Sequence, residues 1–184
     1  TSDYKYLQFA KYIVAQWETP EGPQLITKAI NEVPVAARFP HPFDWFSPEN
    51  GQKAYEMMSC YIGLLELYKV THNAAYLDAV QKTVNNIANT EINVAGSGSA
   101  FESWYNGRKY QTYPAYHTME TCVTFTWMQL CDKLLALTGN PFYADQIEKS
   151  LYNALMAALK DDASQIAKYS PMEGHRCEGE EQCG

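Results

Sequence analysis

Thr71-His72-Asn73-Ala74-Ala75-Tyr76 returns 67 residues later as Thr138-Gly139-Asn140-Pro141-Phe142-Tyr143. In both copies a turn at an Asn separates one helix from the next within a few residues. The same offset pairs Val70 with Leu137, Leu67 with Leu134, Val84 with Leu151 and Asn86 with Asn153. Two copies of an αα-hairpin are therefore expected, each a helix, a tight Asn turn and a helix packing back. Stacked hairpins bury their faces on neighbours, as a solenoid or as a closed α/α toroid. Two copies separated by a long insert favour the toroid, because solenoid repeats are shorter and more regular.

Outward from the repeats, helical periodicity covers most of the chain. Residues 51–71 predict a long helix through Tyr55, Met58, Ser59, Ile62 and Leu65, and residues 75–87 predict its partner. Residues 3–18 place Tyr6, Leu7, Ala10, Ile13, Val14 and Trp17 on one stripe, ended by Pro20, and Pro23 opens a short helix to about Asn31. Residues 33–50 carry four prolines among Phe39, Phe43, Trp45 and Phe46 and read as an extended, aromatic-rich connection. The insert, residues 89–117, holds Gly96-Ser97-Gly98-Ser99 and Phe101-Glu102-Ser103-Trp104-Tyr105-Asn106-Gly107 and reads as a loop. Loops at one rim of a toroid are where sites are built. Residues 165–170 alternate and predict a short strand. Residues 173–184 are polar and acidic with no apolar face, which predicts a flexible tail. The expected fold is all-α, a single domain over residues 1–184 forming part of an (α/α)6 barrel.

Composition bounds the function. A net charge of −7 with scattered basic residues argues against nucleic acid. No apolar run reaches the roughly 18 residues of a membrane helix, and no signal peptide is visible, so a soluble protein is expected, with cytoplasm and periplasm both open. Fourteen Tyr and four Trp suit stacking on sugars, or a Tyr-rich helical core. The five cysteines, Cys60, Cys122, Cys131, Cys177 and Cys183, are odd in number and do not form a disulfide framework. Cys60 and Cys131 fall inside apolar helical patterns and are expected to be buried and inert.

Two local features carry chemistry. Glu120-Thr121-Cys122 stands at the entrance of an apolar helix. In an extended lead-in the two side chains point to one side, and a carboxylate with a thiolate makes acceptable zinc chemistry. On a helix they diverge, leaving a first-turn acid beside a buried Cys. Glu102 sits beside Phe101 and Trp104, where desolvation would raise its pKa and suit a general acid, or it is a solvated loop acid. Trp104, Tyr105, Tyr110, Tyr113 and Tyr116 either stack sugar faces or pack the loop. His175, Cys177 and Cys183 match no standard metal module. No phosphate-cradling glycine motif and no serine nucleophile elbow occurs.

Residues 96–104, Glu120-Thr121-Cys122, residues 168–174 and Gly179-Glu180-Glu181-Gln182-Cys183-Gly184 together resemble the catalytic domain of glycoside hydrolase family 127, in order over residues 51–184. The resemblance implies a β-L-arabinofuranosidase acting on plant oligosaccharides or polysaccharides, an (α/α)6 barrel, and retaining cleavage by a zinc-bound Cys nucleophile. It implies Glu120 and Cys122 as zinc ligands and Glu102 as acid/base. Trp104, His117, Tyr169 and Gln52 are expected to contact substrate, Tyr169 also lying near the nucleophile. Two positions depart from the family. Its Cys-Cys pair is expected shortly after Gly184, so Cys183 is not the nucleophile and the 184 residues alone are expected to be inactive. Gln52 stands where the family tends to carry an active-site His. The rival classes are a non-catalytic helical module binding protein or glycan, which would set Glu102 and Glu120 apart, and another toroid enzyme such as a polysaccharide lyase or uronate hydrolase.

Overall fold

The computed structural model describes residues 4–38, 53–112 and 117–173. Over these the chain is helical: α1 (Tyr4–Trp17), α2 (Leu25–Ile30), α3 (Ala54–Thr71), α4 (Ala74–Thr90), α5 (Thr121–Thr138) and α6 (Pro141–Lys149). Beyond α6 the helix widens into a π-helical stretch, Ser150–Leu155, and ends in α7 (Met156–Ala158). The widening begins where the insert docks: Ser150 Oγ donates to the Gly96 carbonyl at 2.6 Å. Gly96 has φ +88°, and a Cβ there would fall 2.7 Å from Ser150 Cα, so only glycine permits this approach.

The two hairpins repeat down to individual hydrogen bonds. His72 (φ 55°) and Gly139 (φ 67°) close α3 and α5 in the left-handed conformation, donating to the Tyr68 and Leu135 carbonyls. Asn73 and Asn140 then cap α4 and α6 by accepting from the backbone N–H of Ala75 and Phe142, at 3.1 and 3.0 Å. Thr71 Oγ1 and Thr138 Oγ1 accept from the Asn73 and Asn140 N–H groups. Nothing lies within 4 Å of a Cβ built on Gly139, so alanine there meets only the backbone penalty. Gly139→Ala is expected to lower the unfolding free energy by about 1 kcal/mol, and His72→Gly to raise it by a similar amount. Urea unfolding of both variants checks this; no change in either would show that the turn is not under that constraint.

α3 packs on α5, with α4 and α6 each packed on its own hairpin partner, and α2 lies against α4. The start of α3 and the lead-in to α5 meet the same loop, through bridges Lys53–Ser103 and Ala100–Thr118. Near their far ends Lys133 of α5 reaches Glu66 of α3 at 3.1 Å. The two helices therefore run parallel, side by side, as in an α/α toroid. Their shared interface is the core: Met58, Tyr61, Leu64 and Leu65 from α3 and Trp127, Leu130, Cys131 and Leu134 from α5 have no exposed surface. Burial of such side chains contributes roughly 1.5–3 kcal/mol each. Arg38 ties α2, α3 and α4 together, donating to Tyr61 Oη at 2.5 Å and Thr83 Oγ1 at 2.9 Å, while Tyr61 Oη donates to the Leu25 carbonyl.

Several expectations change. The strand expected over residues 165–170 is a single antiparallel bridge, Leu159–Ile166, because its other backbone groups serve different neighbours. Lys168 O accepts from Thr121 N and Ser170 N donates to Thr118 O, which pins this segment across the entrance of α5. The connection after α2 forms a 3-10 turn, Val35–Ala37. Its continuation, and residues 174–184 of the expected tail, lie outside the described residues. Cys131 is fully buried and Cys60 half-buried, and burial pushes both thiols up, which accords with inert core cysteines. Among the described residues no helix is long and apolar enough to cross a membrane.

Candidate active site

The insert returns to the start of α3 through a two-residue turn. Ala100 and Ser103 exchange backbone hydrogen bonds at 2.9 Å, leaving Phe101 (φ 48°) and Glu102 (φ 68°) at its tip. Left-handed backbone at both central positions is the I′ hairpin geometry, usually given to Asn and Gly. Ser99, His117 and Met119 around it also have positive φ. Such strain persists only where surrounding contacts over-determine it, and it clusters at functional sites. Here the contacts are Ala54 N–H to the Glu102 carbonyl at 2.7 Å, Phe101 N–H to His117 O at 2.8 Å and Met119 N–H to Ser99 O at 3.2 Å.

This turn carries the Glu102 carboxylate into a polar cluster. Lys53, just before α3, forms an ion pair with Oε2. Lys168 Nζ approaches Oε1 at 3.3 Å, and Tyr169 Oη donates to the same oxygen at 3.5 Å. His117 lies between Phe101 and Tyr169, ring centroids 4.8 Å from each. The Lys53 hydrogen bond, aided by Lys168, outweighs burial and holds the Glu102 carboxyl below its ordinary range. This reverses the desolvation argued from its aromatic neighbours, because the lysines arrive from residues distant in sequence. Burial, then the Glu102 charge, pushes the Tyr169 phenol up to about 12. Burial opposes the Lys168 charge, but Tyr169 and Glu102 together outweigh it and hold the ammonium up.

Glu120 is the N-terminal flanking residue of α5, with extended φ/ψ, and is 2% exposed. Burial, then the Glu102 charge, raises its carboxyl to about 7, with Glu56 of the first turn of α3 adding to the shift. Its Oε2 is buried with no hydrogen-bond donor among the described residues. Glu102 and Glu120 are thus brought into one electrostatic cluster. Cys122, in the first turn of α5, opens onto an adjoining cleft of about 200 Å3 lined by Thr121, Phe125, Leu155, Ile166, Ala167 and Lys168. Lys168 is the residue common to cleft and cluster. A buried carboxylate oxygen without a donor, with a thiol two residues on, fits the donor chemistry of part of a zinc site. Among the described residues no group of three or more His, Cys, Asp and Glu could hold a metal by itself.

Glu120's raised value has a signed consequence. The metal-free folded state holds this proton more tightly than the unfolded chain, so the associated stability is full below about pH 4.5 and lost as pH rises through about 7. Glu120→Gln is therefore expected to stabilise the chelator-treated protein at about pH 8 and not at about pH 4. Thermal unfolding across that range checks it; equal pH slopes for the two proteins would show that Glu120 is not the group responsible.

Trp104 is buried in the core, 5% exposed, and its ring lies 3.3 Å from where a Gly98 Cβ would stand. The indole therefore packs the loop, and a sugar-stacking face is not presented. Gln52, Tyr113, Tyr116, His175, Cys177 and Cys183 lie outside the described residues. Lys53, Glu56 and Lys168 were not singled out from the sequence. No local pattern marks Lys53 or Glu56, and Lys168 stands in the 168–174 motif with no role of its own there, since each gains its meaning from a contact across the fold.

A family model described as the β-L-arabinofuranosidase, GH127 catalytic domain matches residues 1–182. No curated protein matches the chain. Among solved structures, a GH127 β-L-arabinofuranosidase from Geobacillus stearothermophilus T6 superposes with a TM-score of 0.66 at 17% identity, covering 95% of this chain and 29% of that one. A second, titled glycoside hydrolase, gives 0.63 at 18% identity over 94% and 29%. A third, a GH127 β-arabinofuranosidase, gives 0.61 at 21% over 96% and 27%. At these identities the likeness is one of fold, and the chain spans under a third of each of these structures.

Proposed function

Because the chain belongs to the GH127 catalytic-domain family, we propose that it is part of a retaining glycoside hydrolase that releases a β-L-arabinofuranosyl or related sugar from plant glycans. The observation that most supports this is the convergence of Glu102 and Glu120 in one cluster at the entrances of α3 and α5. A non-catalytic helical module gives no reason for two carboxylates, two lysines and a tyrosine to meet on strained backbone.

In this proposal Glu102 is the acid/base. As base it is ready: Lys53 and Lys168 hold it ionised, suited to taking a proton from water in the second half of a retaining reaction. As acid it must first be protonated, so protonation of the leaving oxygen is favoured when substrate draws the lysines away or the pH falls. Tyr169 positions the carboxylate through its hydroxyl. Glu120 and Cys122 would be zinc ligands, and zinc, when bound, would keep a cysteine thiol as thiolate at neutral pH. The 184 residues contain no Cys-Cys pair of the kind the family uses as nucleophile and further ligand. Turnover is accordingly assigned to a polypeptide that includes such a pair, and the chain alone is expected to be inactive.

The test is hydrolysis of p-nitrophenyl β-L-arabinofuranoside, with and without zinc, by this chain and by the longest encoded polypeptide that contains it. Zinc-dependent turnover by the longer protein only is expected, with the β-sugar as first product. Turnover by the 184-residue chain alone, or an inverted product, would overturn the proposed mechanism.

A further inference from the structure

The two lysines that meet Glu102 do not meet it alike. Lys53 pairs with Oε2 from a position tied to the same turn. It flanks the start of α3 and bridges to Ser103, and its neighbour Ala54 donates through N–H to the Glu102 carbonyl at 2.7 Å. Backbone and side chain therefore fix this oxygen together. Oε1 draws its partners from another segment, Lys168 Nζ at 3.3 Å and Tyr169 Oη at 3.5 Å. Both lie beyond the roughly 2.7–2.9 Å of a strong charge-assisted hydrogen bond. That segment is held to the entrance of α5: the Lys168 carbonyl accepts from Thr121 N–H at 2.9 Å, and the Ala167 carbonyl accepts from Thr121 Oγ1 at 2.6 Å. The Lys168 ammonium itself hangs on a four-carbon stem, 5.2 Å from the centre of the Tyr169 ring.

Chemistry separates the two oxygens further. A protonated carboxyl needs an acceptor for its O–H, and an ammonium offers three donors and no acceptor. A proton on Oε2 would meet the Lys53 ammonium, a group with nothing to accept it. A proton on Oε1 has Tyr169 Oη, since a phenol accepts as well as donates. Burial keeps that phenol un-ionised. Lys168 has only to swing on its stem for the carboxyl and the phenol to exchange donor and acceptor roles. The Glu102 side chain is 28% exposed, so the carboxyl is not sealed from solvent. The other acids of the cluster, Glu56 and Glu120, feel the Glu102 charge, which favours the neutral form of each.

We propose that the two lysines are positioning residues with different duties: Lys53 anchors Oε2 throughout, while Lys168 yields at Oε1, the oxygen that carries the proton. The assignment rests on the hydrolase reading above and narrows the release described there to one lysine. In the first half of the reaction the glycosidic C–O bond breaks, its electron pair goes to the departing oxygen, and that oxygen takes the Oε1 proton. Lys168 then closes on the Oε1 carboxylate. In the second half a water oxygen bonds the anomeric carbon and its proton passes to Oε1. The sugar's bond to the nucleophile breaks in that step, with the electron pair staying on the nucleophile. Lys53 remains on Oε2 in both halves, so one oxygen serves both proton transfers from a fixed position.

The first test needs no turnover. Proton–nitrogen spectra of the lysine Nζ groups in the full chain are followed while Glu102 is titrated by its carboxyl carbon signal. The Lys53 ammonium should stay immobilised and slow to exchange above and below that titration, and the Lys168 ammonium should become mobile as the proton binds. Reversed responses, release of both, or release of neither would each overturn the proposal. The second test uses any polypeptide that includes this chain and hydrolyses p-nitrophenyl β-L-arabinofuranoside, set against an alkyl glycoside as the poor leaving group. In Lys168→Met the carboxyl takes up its proton more readily. The ratio of kcat/KM for the alkyl glycoside to that for the p-nitrophenyl glycoside should then rise by up to about tenfold, the change that one unit of carboxyl pKa makes in the protonated fraction. In Lys53→Met the same gain is outweighed by misplacement of the acid, which costs about 100-fold for 1 Å, so the ratio should fall. Lys53→Arg should recover part of it. A merely structural role would move both ratios the same way, and ratios that move together would overturn the proposal. Absence of turnover in every polypeptide that contains the chain would refute the hydrolase reading, while the ammonium spectra would still decide which lysine yields.

Discussion

Replacing Glu91 with alanine is expected to lower the unfolding free energy by about 3–5 kcal/mol, from two buried N–H groups and one part-buried N–H group, a buried one being worth roughly 1–3 kcal/mol when left unpaired. Glu91 has no exposed surface and ends α4. Its Oε2 accepts from Tyr105 and Gly107 N–H and its Oε1 from Asn106 N–H, all at 3.1 Å. Burial pushes its carboxyl up and the three N–H groups pull it down, with burial prevailing. Alanine would remove every acceptor and leave a void under the insert. Glu91→Gln should be milder, about 1–2 kcal/mol, since one amide oxygen remains while the NH2 group faces a donor. Urea unfolding gives the magnitudes, and limited proteolysis should show cleavage near residues 105–107 in the alanine variant. A loss under about 1 kcal/mol for Glu91→Ala would mean that water or a rearranged loop satisfies these groups.

The second large effect concerns the reaction. Under the proposed reading, in any polypeptide that includes this chain and hydrolyses p-nitrophenyl β-L-arabinofuranoside, Glu102→Gln is expected to lower kcat/KM roughly 10^2–10^4-fold, the usual range for removing a general acid or base. The loss should be greatest for natural linkages and smaller for p-nitrophenyl substrates, whose leaving group needs little protonation. Because Lys53 and Lys168 hold this carboxyl below its ordinary range, cleavage of poor leaving groups by the parent should accelerate as pH falls toward that range. Glu102→Gln should lack this limb. Glu102→Asn separates catalysis from folding, since Asn tolerates the left-handed backbone at this turn. It should remain folded and be inactive. An active Glu102→Gln enzyme would remove Glu102 from the acid/base role.

Glu102 also marks the limit of what local sequence could say about this site. Its neighbours Phe101 and Trp104 suggest desolvation and a raised pKa. Trp104 turns away into the core, and Lys53, 49 positions earlier, supplies the opposite effect. Glu91 shows no motif at all: an acid at the end of a helix reads as solvated until the insert folds over it.

What the sequence determined by itself is the pair of αα-hairpins and the family. The hairpins were legible because caps act over two to four residues: Asn73 on Ala75, Asn140 on Phe142, and His72 and Gly139 on carbonyls four residues back. Each signal lies wholly inside its own window and so survives translation by 67 residues. What only the tertiary structure decided is the charge state and company of the site: which lysines reach Glu102, that Glu120 is stripped of solvent, and that Cys122 opens on an adjoining cleft. Those contacts depend on parallel packing of α3 on α5 and on the insert folded across their entrances. Electrostatic energies fall off with distance and dielectric rather than with position in the chain, so they appear only when the chain has brought distant residues together and excluded water.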